Sequence, residues 1–235
     1  MSNIRQAGMA RPETLIRLAE RIGAQVTRAE TKARLRQRGI LRTGSTGRWM
    51  KFRARQSIDV NRPSFCWTAS VGPFGLLQVR DELQDGLPQG FVRLLDAITL
   101  SKATPSPALL KGQIMRYLAE LPWAPDALLS NDRVSWAEEA DNTLRASVHA
   151  FGVRASVLFK LDADGTIASV SAEDRPRQEG RGFRERPWRG TYGDYRRVDG
   201  RLLPHKAEVS WKVDGTWFPV WRGKLEQWEI GKASS

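Results

Sequence analysis

AEVSWKVDGTWFPVWRGKLEQW, residues 207–228, holds four of the nine tryptophans of this 235-residue chain. Asp214-Gly215 in its middle is the pair favoured by a two-residue type I′ turn, because both central positions need positive φ. With those two residues as the loop, Val213 faces Thr216, Lys212 faces Trp217 and Trp211 faces Phe218. Continued without interruption, the same register sets Val209 against Val220 and Glu208 against Trp221. Side chains alternate along a strand, so one face collects Val209, Trp211, Val213, Phe218 and Val220. The other collects Trp217, Pro219 and Trp221 beside Glu208, Ser210 and Lys212. The first face reads as core. The second is aromatic and polar together, which calls for a cover or a ligand.

Outward from this hairpin the pattern is mostly strand. GRWMKFRARQSI alternates Met50, Phe52 and Ala54 against Trp49, Lys51, Arg53 and Arg55, and SFCWTAS places Phe65, Trp67 and Ala69 on one side. GLLQVRDELQDG and GFVRLLDAITL read as two more strands joined through DGLPQG. After residue 140, TLRASVHAF, VRASVLFKLDADG, TIASVSAEDRP and DYRRVDGR continue the series. Asp-Gly pairs at 164–165, 199–200 and 214–215 fall between strand-like runs. The polar, Gly-rich PRQEGRGFRERPWRG reads as a long loop. Two segments read as helix. PETLIRLAERIGAQVTRAETKARLRQR, residues 12–38, has Pro12 in its first turn, an apolar stripe through Leu15, Leu18, Ile22, Val26, Ala29 and Ala33, and Gly39 as its stop. SPALLKGQIMRYLAELPW gathers Leu109, Ile114, Tyr117, Leu118 and Leu121 near one face and ends at Pro122; a short helix, PDALL, follows.

Composition bounds the class. Apolar residues at 40% and charged residues at 27% are those of a folded protein. No apolar run approaches the ~20 residues that cross a bilayer. The N-terminus lacks the apolar core of a secretion signal, which predicts a cytoplasmic protein, peripheral to the inner membrane if it meets lipid. Residues 1–55 hold fourteen Lys/Arg against three Asp/Glu, while the other 180 hold 24 against 23, so almost the whole excess of +12 lies at this end. Such a block reads either as a solvated face or as a contact for phosphates of nucleic acid or anionic lipid.

Signatures of familiar chemistry fail on inspection. GILRTGST at 39–46 has the glycine spacing of a phosphate loop, but Ser45 stands where the lysine belongs. DADG at 162–165 begins like a calcium loop, yet its glycine arrives two positions early. His149 and His205 lack cysteine partners for zinc, and Cys66 reads as an inert buried thiol. No catalytic residue, metal or cofactor is expected. The residues that remain interesting are charges set in apolar sequence: Arg116 and Glu120 four apart on the second helix, Asp81 within LLQVRDEL, Arg175 at the end of TIASVSAEDR, and Arg222 after Trp221. Meeting over the sheet, they would form a polar cluster that needs full pairing.

GRWMKFRARQSIDVNRPSFCWTA, QIMRYLAELPWAPDALL, AEDRPR, PWRGTYGDYRRVDGRLLP and EVSWKVDGTWFPVWRG together resemble an uncharacterised bacterial family of unknown function, over residues 40–228. That family is similar in fold to the outer-membrane lipoprotein carrier and sorting proteins, in which a curved antiparallel sheet forms an unclosed barrel, helices cover its concave face and an acyl chain lies between. The resemblance implies no activity or cofactor. It marks Arg116, Tyr117, Glu120, Trp123, Pro125, Arg175, Trp188, Gly190, Tyr195, Pro204, Trp211 and Arg222 as matching positions. The arginine-rich N-terminus departs from exported carriers.

The expectation is therefore an α+β, mostly β protein. A basic N-terminal helix (1–40) packs on one curved antiparallel half-barrel of about ten strands (41–235), closed over by a helical insertion at 105–129. Its expected role is non-catalytic binding of a lipid, acyl chain or other hydrophobic molecule between sheet and helices. The candidate ligand-binding residues are Arg116, Tyr117, Glu120, Trp123, Arg175, Trp188, Trp211, Trp217, Trp221 and Arg222. The alternative is an interaction protein that binds nucleic acid or an anionic membrane surface through the basic helix.

Overall fold

The computed structural model describes residues 11–94, 98–102, 104–180 and 182–232. Thirteen strands form one antiparallel sheet: β1 Thr31–Leu41, β2 Met50–Asp59, β3 Phe65–Val71, β4 Leu77–Gln84, β5 Leu87–Leu94, β6 Ile98–Lys102, β7 Val134–Ala140, β8 Thr143–Ala150, β9 Val153–Leu161, β10 Ile167–Glu179, β11 Gly182–Val198, β12 Arg201–Val213 and β13 Thr216–Lys232. Their order in space is β6-β5-β4-β3-β2-β1-β13-β12-β11-β10-β9-β8-β7, curled into a half-barrel. The chain starts in the centre, meanders to one edge, crosses to the opposite edge and meanders back until β13 pairs with β1. The curl carries the β4–β5 turn against the β8–β9 turn: a Cβ added at Gly86 would lie 2.6 Å from the Phe151 ring.

The crossing supplies the cover. Helix α2, Pro107–Ala119, is opened by Ser106, whose hydroxyl accepts from the Leu109 N–H at 3.1 Å, with Pro107 in the first turn. A 3₁₀ turn over Leu121–Trp123 follows, and then the short helix Ala127–Ser130. Because β6 and β7 lie at opposite edges, this segment must traverse the hollow. Helix α2 accordingly packs on β9 and β10 from one flank and on β4 and β5 from the other. Leu110, Ile114, Leu118 and Leu121 are buried there against Val148, Val157, Phe159 and Val170 in one continuous core.

The N-terminal helix is shorter than its sequence suggests. Helix α1 spans Glu13–Ile22 and ends at Gly23, at φ 73°. Leu15, Leu18, Ala19 and Ile22 form its buried stripe. The arginine-rich second half is not helical: TKARLRQRGIL is β1, in the middle of the sheet. Here the two periodicities compete, and alternation wins. Thr31, Ala33, Leu35 and Gln37 are buried while Arg36 and Arg38 are exposed, the pattern of a strand with one covered face. Ala29 and Ala33 stand at helical spacing but offer too little apolar area to extend α1 against that gain. Gly39 lies inside β1, not at a helix end.

Two further expectations change. PRQEGRGFRERPWRG is no loop; it builds the paired ends of β10 and β11, where Arg177 and Arg186 meet Glu179 at 2.9 Å. A polar composition suits strands whose ends project beyond the covered body. GFVRLLDAITL divides into β5 and β6, with residues 95–97 outside the described set, and SWAEEA forms an additional edge strand, β7.

Candidate functional site

The tryptophan hairpin folds as its turn demands, up to a point. Asp214 and Gly215 lie at φ 49° and 78°, and Val213–Thr216, Lys212–Trp217 and Trp211–Phe218 are paired. Beyond Ser210–Pro219 the register slips by one: Val209 faces Trp221 and Glu208 faces Arg222. Proline has no N–H for the ladder, and a β-bulge at that point tolerates the loss. The slip reverses the face of every later side chain on β13. Trp221 therefore joins Val209 and Trp211 on the inner face, while Trp217 stays outside, 4.4 Å below the Arg189 guanidinium. Sequence alternation alone puts both tryptophans on one face; the bulge separates them.

Inside, seven strands and the cover line a cavity of about 200 Å³. Its aromatic wall comprises Trp67 of β3, Trp188 of β11, Trp211 of β12, Trp221 of β13 and Trp123 of the 3₁₀ turn. Trp221 stacks on Phe52 at 5.6 Å, and Trp123 meets Tyr192 edge to face at 5.8 Å. The indole of Trp123 donates to the Pro204 carbonyl at 2.9 Å, and the Tyr192 hydroxyl donates to the Ala119 carbonyl, which ties the cover to the sheet.

A polar cluster forms the other part of the wall. Arg116 of α2 binds the Asp81 carboxylate of β4 and donates through Nε to Glu120 at 2.8 Å. Gln113 donates to Asp81, and Gln56 of β2 donates to Glu120. Gln37 accepts from the Trp67 indole at 3.3 Å. Arg116 also lies over the Phe65 and Trp67 rings, at 5.0 and 5.2 Å. Burial pushes the Glu120 carboxyl up against the opposing pull of Arg116. Burial works to lower the Arg116 guanidinium, but Glu120 and Asp81 outweigh it and hold it above its ordinary value. Both carboxylates and Arg116 are thus hydrogen-bonded, which is what allows the group to stay buried.

Arg175 differs. It follows a bulge in β10, with its guanidinium 4.3 Å from the Trp188 ring centroid and 5.4 Å from that of Trp211. It makes no hydrogen bond or ion pair among the described residues. Burial, and then the like charge of Arg116, bring it down to about 10.

Of the ten residues singled out in the sequence, Arg116, Glu120, Trp123, Arg175, Trp188, Trp211 and Trp221 line this cavity. Three do not. Tyr117 is fully buried on another side of α2, where its hydroxyl donates to the Asp59 carbonyl at 2.9 Å and accepts from Asn131. Trp217 is outside. Arg222 is also outside, with Glu208 at 2.6 Å and Trp49 beneath it. Asp81 does reach the polar cluster. Gln37, Gln56, Trp67, Gly190 and Tyr192 also line it, with Ala119, Ala207, Glu208 and Val209; alternation within SFCWTAS carried a signal for Trp67, whereas the helical reading of residues 12–38 concealed Gln37.

Cys66 is paired in register with Ser57 and Glu82, and burial pushes its thiol up, away from the reactive thiolate. DADG is a turn in which Asp162 accepts from the Asp164 and Thr166 N–H groups. No cluster of three metal-ligating side chains occurs among the described residues.

A curled antiparallel half-barrel, with a helix laid across its hollow and an aromatic cavity beneath it, is the fold of this chain. Solved structures of similar shape include a DUF1329 family protein from Desulfovibrio piger (12% identity, 94% of this chain and 93% of that one, TM-score 0.50). A LolA superfamily protein from Nitrosomonas europaea is 10% identical over 97% and 96% of the two chains, with TM-score 0.49. A putative outer membrane lipoprotein-sorting protein domain from Vibrio parahaemolyticus is 9% identical over 94% and 93%, with TM-score 0.39. At these identities the likeness is one of fold. The chain itself belongs to the family of unknown function DUF6920, whose model matches residues 11–229. No curated protein matches it.

The cytoplasmic location expected from the N-terminus is corrected by the same neighbours, which are described as LolA superfamily and outer-membrane lipoprotein-sorting proteins. Among the described residues no helix is long and apolar enough to cross a membrane.

Proposed function

We propose that this protein is a non-catalytic binder of a hydrophobic molecule, a lipid or acyl chain, held between the curved sheet and the α2 cover. The observation that carries this reading is the cavity: five tryptophans from separate elements converge on one hollow of about 200 Å³. Indole rings supply large apolar area at low entropic cost, and a concave, mainly apolar hollow with a few placed polar groups is the usual form of a ligand site. Native mass spectrometry of the protein extracted without detergent is expected to show a retained apolar ligand. After delipidation, tryptophan emission should shift on titration with decanol. A clean apo mass together with unchanged emission would remove the reading.

A second reading, an anionic partner, is favoured by a separate observation on the outer face. Arg53, Arg38, Lys224 and Lys206 stand directly opposite one another across β2, β1, β13 and β12. Like charges so placed repel. Arg38 is relieved by Glu226 at 3.0 Å and Lys206 by Asp194 at 3.6 Å, whereas Arg53 and Lys224 have no acidic partner among the described residues. The row lines a broad groove of about 1090 Å³. In this reading the contact is made by cations of a sheet face, Lys206 and Lys224 among them, and not by the expected helix; residues 1–10 lie outside the described set. Cosedimentation with anionic vesicles, or a gel shift with duplex DNA, should weaken steeply with salt and in Arg53→Glu. Salt-independent binding, or none, counts against it.

A further inference from the structure

The charged side chains of the cavity's inner cluster are matched except one. Asp81 is taken by Arg116 and Gln113, Glu120 by Arg116 and Gln56, and the Trp67 indole by Gln37. The Trp123 indole is satisfied by a backbone carbonyl. What remains is the Arg175 guanidinium, lying on the Trp188 face. Trp188 is 2% exposed and its Nε1 has no acceptor. A buried donor left unmatched costs roughly 1–3 kcal/mol, and more when charged. Trp188 lines the hollow through its ring, which carries the Arg175 guanidinium, while its Nε1 is closed off from the hollow.

We propose that Arg175, seated on the Trp188 ring, forms an anion subsite within the cavity and that the hydrophobic ligand is an acid, held through its carboxylate. This rests on the hydrophobic-binder reading and narrows it. A planar carboxylate suits a guanidinium edge, which presents parallel N–H donors. The rings beneath Arg175 fix its plane in advance, so less entropy is lost when the pair forms. A monoanion is favoured over a dianion because Asp81 and Glu120 already place two carboxylates beside the subsite. The nearest cation, Arg116, is fully engaged by those two and is not free to serve a second anion.

The test uses two probes of one chain length, decanoate and decanol, with affinities read from tryptophan emission and calorimetry on delipidated protein. The wild type is expected to bind decanoate at least tenfold more tightly than decanol. Arg175→Met should abolish that preference and leave decanol within about threefold of wild type. Met in place of an unpaired guanidinium should fold at least as well as wild type; Arg175→Gln is the second variant, with the same expected loss of preference. Equal binding of acid and alcohol by the wild type, or a preference that survives Arg175→Met and Arg175→Gln, overturns the anion subsite alone. Binding of neither probe overturns the hydrophobic-binder reading and this inference with it.

Discussion

Strands β1, β2, β12 and β13 carry opposite chemistry on their two faces. Inward, Leu35, Phe52, Ala54, Val209, Trp211 and Trp221 belong to the core or pack against it. Outward, Arg38, Arg53, Lys206 and Lys224 are exposed in one row. Charge is also handled differently on the two sides. The inner arginine, Arg116, is bonded to two carboxylates, while the outer cations face one another. The low-dielectric interior forces pairing, because an unmatched charge there is costly, whereas water screens the outer row and lets repulsion persist. Arg175 breaks the inner rule, and for that reason it draws the ligand argument.

Substitutions can break this contrast, and the largest effect is expected inside. Arg116→Met leaves Asp81 and Glu120 without their cation and should cost about 3–5 kcal/mol in urea unfolding. Leu35→Ala should cost about 2–5 kcal/mol, while its neighbour Arg36→Ala on the other face should stay within about 0.5 kcal/mol. A comparable loss in the two would mean that β1 is not two-faced. Trp221→Ala should destabilise far more than Trp217→Ala; equal losses would argue against the bulge at Pro219 having turned Trp221 inward.

Two smaller effects sharpen the comparison. Lys224→Glu places an opposite charge between Arg38 and Lys206 and should stabilise by about 0.2–1 kcal/mol at low salt. The gain should shrink as salt rises, and a gain unchanged by salt would exclude the electrostatic account. The Glu120 carboxyl is raised in the fold, so the folded state holds its proton more tightly than the unfolded chain does. Its contribution is fully present below the ordinary glutamate range and is lost as pH rises through the raised value. The stability of Glu120→Gln relative to wild type should therefore increase as pH climbs from about 4.5. A constant difference would place the Glu120 carboxyl in the ordinary range.

How much of this is legible in the chain depends on the range of the interaction. The hairpin turn at Asp214-Gly215, the Ser106-Pro107 helix start and the alternation of SFCWTAS depend on neighbours a few residues apart, and each folds as read. TKARLRQR misleads because apolar spacing of three or four and alternation of two coexist in it, and which one wins depends on whether a partner strand is present. Trp221 misleads because one residue of slip inverts a face, and a bulge beside a proline does not show in a count. The site follows the same division. Arg116 and Glu120, four apart on a helix, are recognisable as a pair. Their union with Asp81 of β4 and Gln56 of β2 spans more than sixty residues of chain and needs the curl of the sheet.

The sequence by itself determined the period of most elements, the location of most turns, the mostly antiparallel character of the fold and the segregation of basic charge towards the first fifty-five residues, because local sterics and side-chain alternation act without tertiary help. Tertiary structure decided which face of β13 enters the hollow, that the arginine-rich segment becomes a strand in the middle of the sheet, and which charges find partners. Those outcomes depend on pairing across the sheet and on the crossing of α2, where burial free energy gathered over many strands outweighs any local preference.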